Sequence, residues 1–234
     1  MTSRDFTTIT EQAAVSRGFG CLPGFLVPPL AVISVGVVMM FLALSLPAVP
    51  NPQSLSNQVL QAQTSGTLPP LSPVFTPEVQ YWAGRIQAWA ADAGLDPNLV
   101  ATVMQIESCG DPRALSHAGA MGLFQVMPYH FTASDDPYAP NTNALRGLDY
   151  LRRSLETARS DPRLALAGYN GGIGVIDRSE STWAVQTQRY AYWGSGIYAE
   201  ASSGASESPR LQEWLAASGV SLCRQAHNRL GINP

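Results

Sequence analysis

From residue 76 onward, apolar positions recur at helical spacing, and each run is punctuated at its ends. Thr76-Pro77-Glu78 has the form of a helix start: an N-cap residue, a proline at the first helical position and an acid in the first turn. Val79, Trp82, Ile86 and Trp89 follow on one face, and Gly94 ends the run. Asp96-Pro97 opens a second helix that Gly110 closes. A third, over 143–159, carries Leu148, Leu151 and Leu155 on one face. Asp161-Pro162 opens a fourth, closed by Gly171-Gly172, and a fifth covers 185–200. Ser202 to Ser208 is a small polar linker before a short helix over 211–217. No long stretch alternates as a half-buried strand does, so the fold class is mainly α.

The pattern changes before residue 76. Phe25 to Leu46 is uncharged and mostly apolar, and as a helix it would reach roughly 33 Å, enough for a bilayer core. Its prolines, Pro28 and Pro29, fall in the first turns, where they are tolerated best. A cleaved signal peptide has a shorter apolar core and a small-x-small cleavage site, which Ser45-Leu46-Pro47-Ala48 matches poorly. Residues 25–47 therefore read as an uncleaved transmembrane anchor. Arg4 and Arg17 lie before it, and the next basic residue is Arg85. The positive-inside bias puts residues 1–24 in the cytoplasm and everything after the anchor outside. Residues 48–76, rich in Pro, Ser, Gln and Asn and free of charge, read as a flexible linker spanning roughly 30 Å.

Composition adds exclusions. Charged residues make up only 13% of the 234, and none occurs between Gly18 and Pro77. A net charge of -3 leaves no basic footprint, so no nucleic-acid partner is expected. Three histidines and three cysteines without CxxC spacing predict no metal site and no cofactor. Cys109 and Cys223 are the two cysteines that follow the anchor, in a compartment where disulfides form, so a bridge between them is expected. Two unpaired buried thiols are the alternative.

Glu107 is the residue with the clearest chemical potential. Val100, Val103 and Met104 precede it by seven, four and three residues and share its helix face. Spacing alone leaves two readings open. The carboxyl reaches solvent from the helix end, or it turns toward the core, where desolvation raises its pKa and suits it to general acid catalysis. Behind it, Gly110, Gly119 and Gly122 break helical order, with Ser116, His117, Gln125 and Met127 interspersed. Tyr169 and Asn170 end the fourth helix, either as core and cap residues or projecting into a groove.

These segments resemble the soluble lytic transglycosylase domain of glycoside hydrolase family 23, which has a lysozyme-like, goose-type fold. Its first motif is matched by Glu107-Ser108, Gly110-Asp111-Pro112, Ala114-Leu115-Ser116 and the run from Gly119 to Pro128. Its second is matched by Ala165-Leu166-Ala167-Gly168-Tyr169-Asn170-Gly171-Gly172, and its third in part by Gln186-Thr187 and Tyr190. The resemblance covers about 78–200. It implies a catalytic domain over 77–201, with 202–234 as linker and tail. It further implies a bacterial enzyme, which the anchor read above would tether to the cell membrane with its domain outside the cytoplasm. Its partner would be peptidoglycan glycan strands, with the lipid bilayer engaged through 25–47.

The implied chemistry is cleavage of the β-1,4 bond between N-acetylmuramic acid and N-acetylglucosamine, leaving 1,6-anhydro ends. A single glutamate, Glu107, would act as acid and then base. Ser116, Gln125, Tyr169 and Asn170 would hold the sugars, Met127 would line the groove and Tyr190 would support the site. Gln186 departs from the family's glutamate, a residue that helps hold the site and the peptide stem. Gly168 departs from an alanine and is expected to loosen its helix end. Two other readings stand beside this one. One is a hydrolytic muramidase like goose-type lysozyme; the other is a non-catalytic glycan-binding or secretion-associated module.

Overall fold

In the computed structural model of the chain, residues 70–232 are described; they belong to one compact unit and are mainly helical. The proposed anchor at 25–47 and most of the 48–76 linker lie outside these residues. Among the described residues no helix is long and apolar enough to cross a membrane.

Eight α-helices are described: α1 (Pro77–Gln80), α2 (Ala83–Ala93), α3 (Pro97–Glu107), α4 (Pro140–Thr157), α5 (Pro162–Gly171), α6 (Val185–Ser202), α7 (Pro209–Trp214) and α8 (Val220–Leu230). The Asp-Pro starts behave as their sequences imply. The Asp96 carboxylate accepts from the backbone N–H groups of Asn98 and Leu99, and that of Asp161 from those of Arg163 and Leu164. Gly94 ends α2 in the left-handed conformation.

The first helix departs from its reading as one continuous run. It breaks at Tyr81-Trp82, where Trp82 leaves helical geometry and its indole Nε1 donates to the Gly110 carbonyl at 2.9 Å. Thr76 sits at the N-cap position but does not cap the helix; its hydroxyl donates instead to Gln105 Oε1.

At the centre lies α3, in which Leu99 through Gln105 are buried without interruption. A helix buried on every side is surrounded, not amphipathic. Packed around it are α1, α2 and α6, while α4 and α5 form a second layer against α2 and α6. The core joins Val79, Ile86, Leu99, Val103, Met104, Phe124, Leu151, Leu166 and Ile197.

Two segment boundaries differ from the sequence reading. Leu71, Val74 and Phe75, assigned to the flexible linker, are buried in the core, because apolar residues resume there before charge does. The stretch read as a C-terminal linker and tail, with one short helix expected over 211–217, folds into α7, a π-helical turn (Leu215–Gly219) and α8, with Leu211, Trp214, Cys223 and Ala226 in the same core. A disulfide joins Cys109 to Cys223, with Cα atoms 4.9 Å apart. Closing a loop across 114 residues of separation destabilises the unfolded chain by about 4–5 kcal/mol in the chain-entropy view. Beside it, His227 Nδ1 lies 3.0 Å from the buried Glu78 carboxylate, and Gln225 Nε2 donates to the buried Asp111 carboxylate at 3.0 Å. Three elements far apart in sequence, α1, the loop after α3 and α8, therefore meet behind the end of α3.

Gly168 does not loosen α5. A Cβ there would stand 2.4 Å from Ser154 Oγ and 2.7 Å from Ile176 Cδ1, so its absence lets α4 and α5 close on each other. Ser154 Oγ uses that proximity to donate to the Ala165 carbonyl at 2.7 Å. Gly168→Ala, although it raises helix propensity, is expected to destabilise the protein by about 1–3 kcal/mol through overpacking. Denaturant unfolding of the two proteins measures this; an unchanged or raised midpoint would show that the close approach is not limiting.

Candidate active site

The loop after α3 is shaped by backbone geometry before any side chain faces the cleft. Ser108 Oγ donates to the Leu123 carbonyl at 2.7 Å and accepts from Gly110 N–H at 3.1 Å. Two isolated β-bridges, Leu115 with Met121 and Met121 with Val126, turn the chain back on itself. Gly122 occupies the left-handed region, and a Cβ there would stand 2.4 Å from Asn143 Nδ2. That close approach lets Asn143, buried on α4, accept from Phe124 N–H at 2.8 Å. The same side chain donates to the Met121 and Pro137 carbonyls at 2.7 and 2.9 Å. Gln125 also has a positive φ, of 45°, a conformation rare outside glycine that the surrounding bonds hold in place.

This scaffold frames a cleft of about 660 Å³. Glu107, Ser116, Gln125, Met127, Tyr169, Asn170 and Gln186 all line it, so the structure gathers residues spread over eighty positions of sequence. Tyr190 lies just beyond, in a smaller chamber that shares Glu107, Asn170 and Gln186 with the cleft.

Glu107 is half-buried as a residue, but its carboxyl is densely enclosed by protein. Desolvation pushes its pKa up to about 8, opposed in part by the Tyr190 hydroxyl, which stabilises the carboxylate. Burial and the neighbouring Glu107 in turn raise the pKa values of Tyr169 and Tyr190 well above the usual phenol range. Both phenols are neutral donors at any physiological pH. Tyr169 spends its proton on the Phe124 carbonyl at 2.7 Å. The Tyr190 hydroxyl is buried with no well-formed partner among the described residues and is directed at Glu107.

The remaining lining groups are sorted by what they have already used. Ser116 Oγ accepts from Ala120 N–H at 2.9 Å, which leaves its O–H to donate. Gln125 Nε2 donates to the Ala114 and Gly122 carbonyls, which leaves its oxygen to accept. Asn170 Oδ1 accepts from Thr187 Oγ1 at 3.0 Å, which leaves its N–H₂. Donors and acceptors alternating along an open cleft suit a ligand rich in hydroxyl and amide groups.

The sequence reading named neither the aromatic wall nor the residues that orient the site. Tyr129, His130, Tyr150 and Tyr169 form a continuous series, with successive ring centroids 4.6, 4.8 and 5.7 Å apart. Burial and the Arg153 guanidinium lower the His130 pKa, which favours the neutral ring. Tyr150 lies on α4 beside the Leu148–Leu151 stripe, and only the fold reveals that it faces the cleft. Asn143 and Thr187 act through Phe124 and Asn170, a role that spacing does not signal.

The three other acids in this region point elsewhere. Asp111 is fully buried behind α3, held by Arg113 N–H and Gln225. Asp135 pairs with Arg146 at 2.8 Å, and Asp136 accepts from Tyr138 N–H. Among the described residues lining the cleft and its chamber, Glu107 is the only acid.

The enclosure of Glu107 has a thermodynamic signature. Its folded-state pKa of about 8 lies above the unfolded value of 4.5, so folding retains a proton that the unfolded chain releases between those limits. The stability associated with this group is complete below pH 4.5 and is lost as pH rises toward 8. Glu107→Gln removes that dependence. Its stability advantage over the native protein is expected to grow across this window by at most about 1.4 kcal/mol per pH unit. Denaturant midpoints measured at the two ends of the window test this; a constant difference would mean that the carboxyl is not enclosed.

Comparison with known proteins finds similarity over the segment that carries this site. Residues 84–190 match the model of the transglycosylase SLT domain. The transglycosylase of Enterobacteria phage PRD1 is 39% identical over 116 residues, covering 48% of this chain and 40% of the phage protein. Membrane-bound lytic murein transglycosylase C of Salmonella paratyphi B is 28% identical over 125 residues, covering 45% of this chain and 35% of that protein. Each match thus spans well under half of the relative. An inactive mutant of lytic transglycosylase Slt from Pseudomonas aeruginosa aligns with a TM-score of 0.44 at 20% identity, over 54% of this chain and 25% of that one. Residues 84–190 of the chain are thus similar to the transglycosylase SLT domain.

Proposed function

We propose that this protein is a peptidoglycan lytic transglycosylase, cleaving the bond between N-acetylmuramic acid and N-acetylglucosamine and closing a 1,6-anhydro ring on the muramic acid. The observation that carries this reading is the lone Glu107 carboxyl, with a pKa of about 8, in a cleft without a second described acid. A two-carboxylate glycosidase sets its second acid within several ångströms of the first, to act as nucleophile or to activate water. A single acid suffices when the substrate supplies the remaining groups.

Protonated Glu107 gives its proton to the bridging oxygen as the C1–O bond breaks. The acetamido oxygen of the substrate stabilises the cation at C1. The Glu107 carboxylate then accepts the proton of the C6 hydroxyl, whose oxygen bonds to C1. No water is consumed, and Glu107 ends protonated. The two influences on this carboxyl serve the two steps: burial favours the acid at the start, and the Tyr190 hydroxyl stabilises the carboxylate between them. Ser116, Gln125 and Asn170 would bind the hydroxyl and acetamido groups, Met127 and the aromatic wall would pack on sugar faces, and Gln186 would contact the strand beside Glu107.

The cellular setting belongs to the same proposal. Residues 25–47 would anchor the chain in a bacterial cell membrane, with the SLT domain outside the cytoplasm. The membrane-bound name of the Salmonella relative supports an envelope location.

The full chain in detergent, given purified peptidoglycan, is expected to release anhydro-ended muropeptides, identified by mass spectrometry. The rate should fall as pH rises through about 8, where the acid form of Glu107 is lost. Glu107→Gln should lower the rate about 10²–10⁴-fold. Reducing-end products would identify a hydrolytic muramidase, and binding without products would identify a glycan-binding module; either would overturn the proposal.

A further inference from the structure

Behind the end of α3, one buried acid has a carboxylate that its surroundings satisfy on one side only. Glu78, on α1, is 7% exposed. Its Oε1 lies 3.0 Å from His227 Nδ1 on α8. Its Oε2 faces the disulfide, 4.0 Å from Cys109 Sγ. While Cys109 and Cys223 are joined, neither sulfur carries a hydrogen. Oε2 therefore has no hydrogen-bond donor among the described residues. A buried carboxylate oxygen without a donor is costly and rare in a native structure, so the group it faces calls for an explanation.

The surrounding groups suit a different state of the two sulfurs. A carboxylate oxygen of Glu78 and the sulfurs of Cys109 and Cys223 lie within 4.8 Å of one another, and all three residues are buried. Gln105 Nε2 is directed at both sulfurs, 3.1 Å from Cys109 and 3.5 Å from Cys223. A disulfide sulfur is a weak acceptor, whereas a thiolate accepts strongly. Two thiolates and a carboxylate are ligand types that suit zinc. Tetrahedral zinc, with bonds of about 2.3 Å to sulfur and about 2.1 Å to oxygen, holds such donors about 3.6–3.8 Å apart. The Glu78 carboxylate therefore stands within about 1 Å of the required place. The sulfurs, carried on Cα atoms 4.9 Å apart, reach that spacing by side-chain rotation once their bond is open. His227 holds the other carboxylate oxygen, as groups around a metal ligand commonly do.

We propose that Glu78, Cys109 and Cys223 form a zinc site in the reduced protein, which replaces the disulfide as the link between α8 and the end of α3. A dithiol reductant gives two electrons and two protons to the Cys109–Cys223 bond, leaving two thiols and becoming a disulfide itself. Zinc binding then releases both thiol protons. The two sulfurs and one Glu78 oxygen take three positions of a tetrahedron, and a water molecule takes the fourth. The oxidised protein, whose sulfurs are neutral and bonded to each other, holds no zinc there. The end of α3, two residues from Glu107, is thus fixed in both redox states. None of these residues lines the cleft, so the inference stands independently of the glycan-cleavage reading.

The test uses the full chain in detergent, with Cys21→Ser to remove the third thiol. Because both sulfurs are buried, the bridge is reduced with dithiothreitol in denaturant, and the chain is desalted and refolded without oxygen. Cobalt(II) is the spectroscopic probe. The reduced protein is expected to bind one cobalt per chain with a thiolate-to-cobalt charge-transfer band, which zinc then displaces. The oxidised protein should show no such band. Glu78→Gln should weaken cobalt binding to the reduced chain at least tenfold. Zinc should raise the melting temperature of the reduced chain and leave that of the oxidised chain unchanged. Where the reduced chain fails to refold alone, the recovery of soluble, helical protein should depend on zinc and not on magnesium. Absence of the band with both thiols free, equal binding by the oxidised protein, an affinity untouched by Glu78→Gln, or refolding indifferent to zinc would each overturn the inference.

Discussion

A carboxyl group that must stay out of water, yet within reach of a large ligand, constrains the whole molecule. Enclosing Glu107 costs the ionised form its hydration, and the raised pKa expresses that cost. The position at the end of α3 acts in the same direction, since the carbonyl-rich end of a helix disfavours an anion. A surface helix could not impose this environment. α3 can, because it is buried on all sides and ends where a tightly bonded loop and α6 meet it.

Holding the end of that helix requires more than residues 84–190. The Cys109–Cys223 disulfide, the Glu78–His227 contact and the Asp111–Gln225 hydrogen bond gather α1, the α3 terminus and α8 into one cluster. Cys109 itself has a positive φ of 51°, a conformation the covalent link and its neighbours help to hold. On the cleft side, Asn143 fixes the loop through three hydrogen bonds, and Tyr169 ties α5 to Phe124. Glu107 is thus held from behind by covalent and polar links and from the front by a hydrogen-bonded loop. Such preorganisation keeps a catalytic group in position without reorganisation during the reaction.

Local chemistry made much of this legible in the sequence. Asp96-Pro97 and Asp161-Pro162 start helices because carboxylate caps and proline act within one turn, and Gly94 ends one because only a left-handed residue fits there. The motif segments around Glu107, Tyr169 and Gln186 converge on one cleft. What was not legible depends on contacts across long sequence separations. Trp82 breaks a periodic run because its indole is held by Gly110, and the C-terminal segment is core because Trp214 and Cys223 find partners far upstream. The expectation for Gly168 used helix propensity alone, and packing against Ser154 overrides it. Tyr150 joins the cleft because α4 is turned by its contacts with α2 and α5.

The central claim is that Glu107 remains an acid at neutral pH. It is tested most directly by a ¹³C NMR titration of glutamate side-chain carboxyls, with the resonance of Glu107 assigned by its loss in Glu107→Gln. The account predicts a midpoint near 8. A midpoint near the ordinary 4.5 would show that the carboxyl is hydrated and would remove the basis for a single acid acting in both steps.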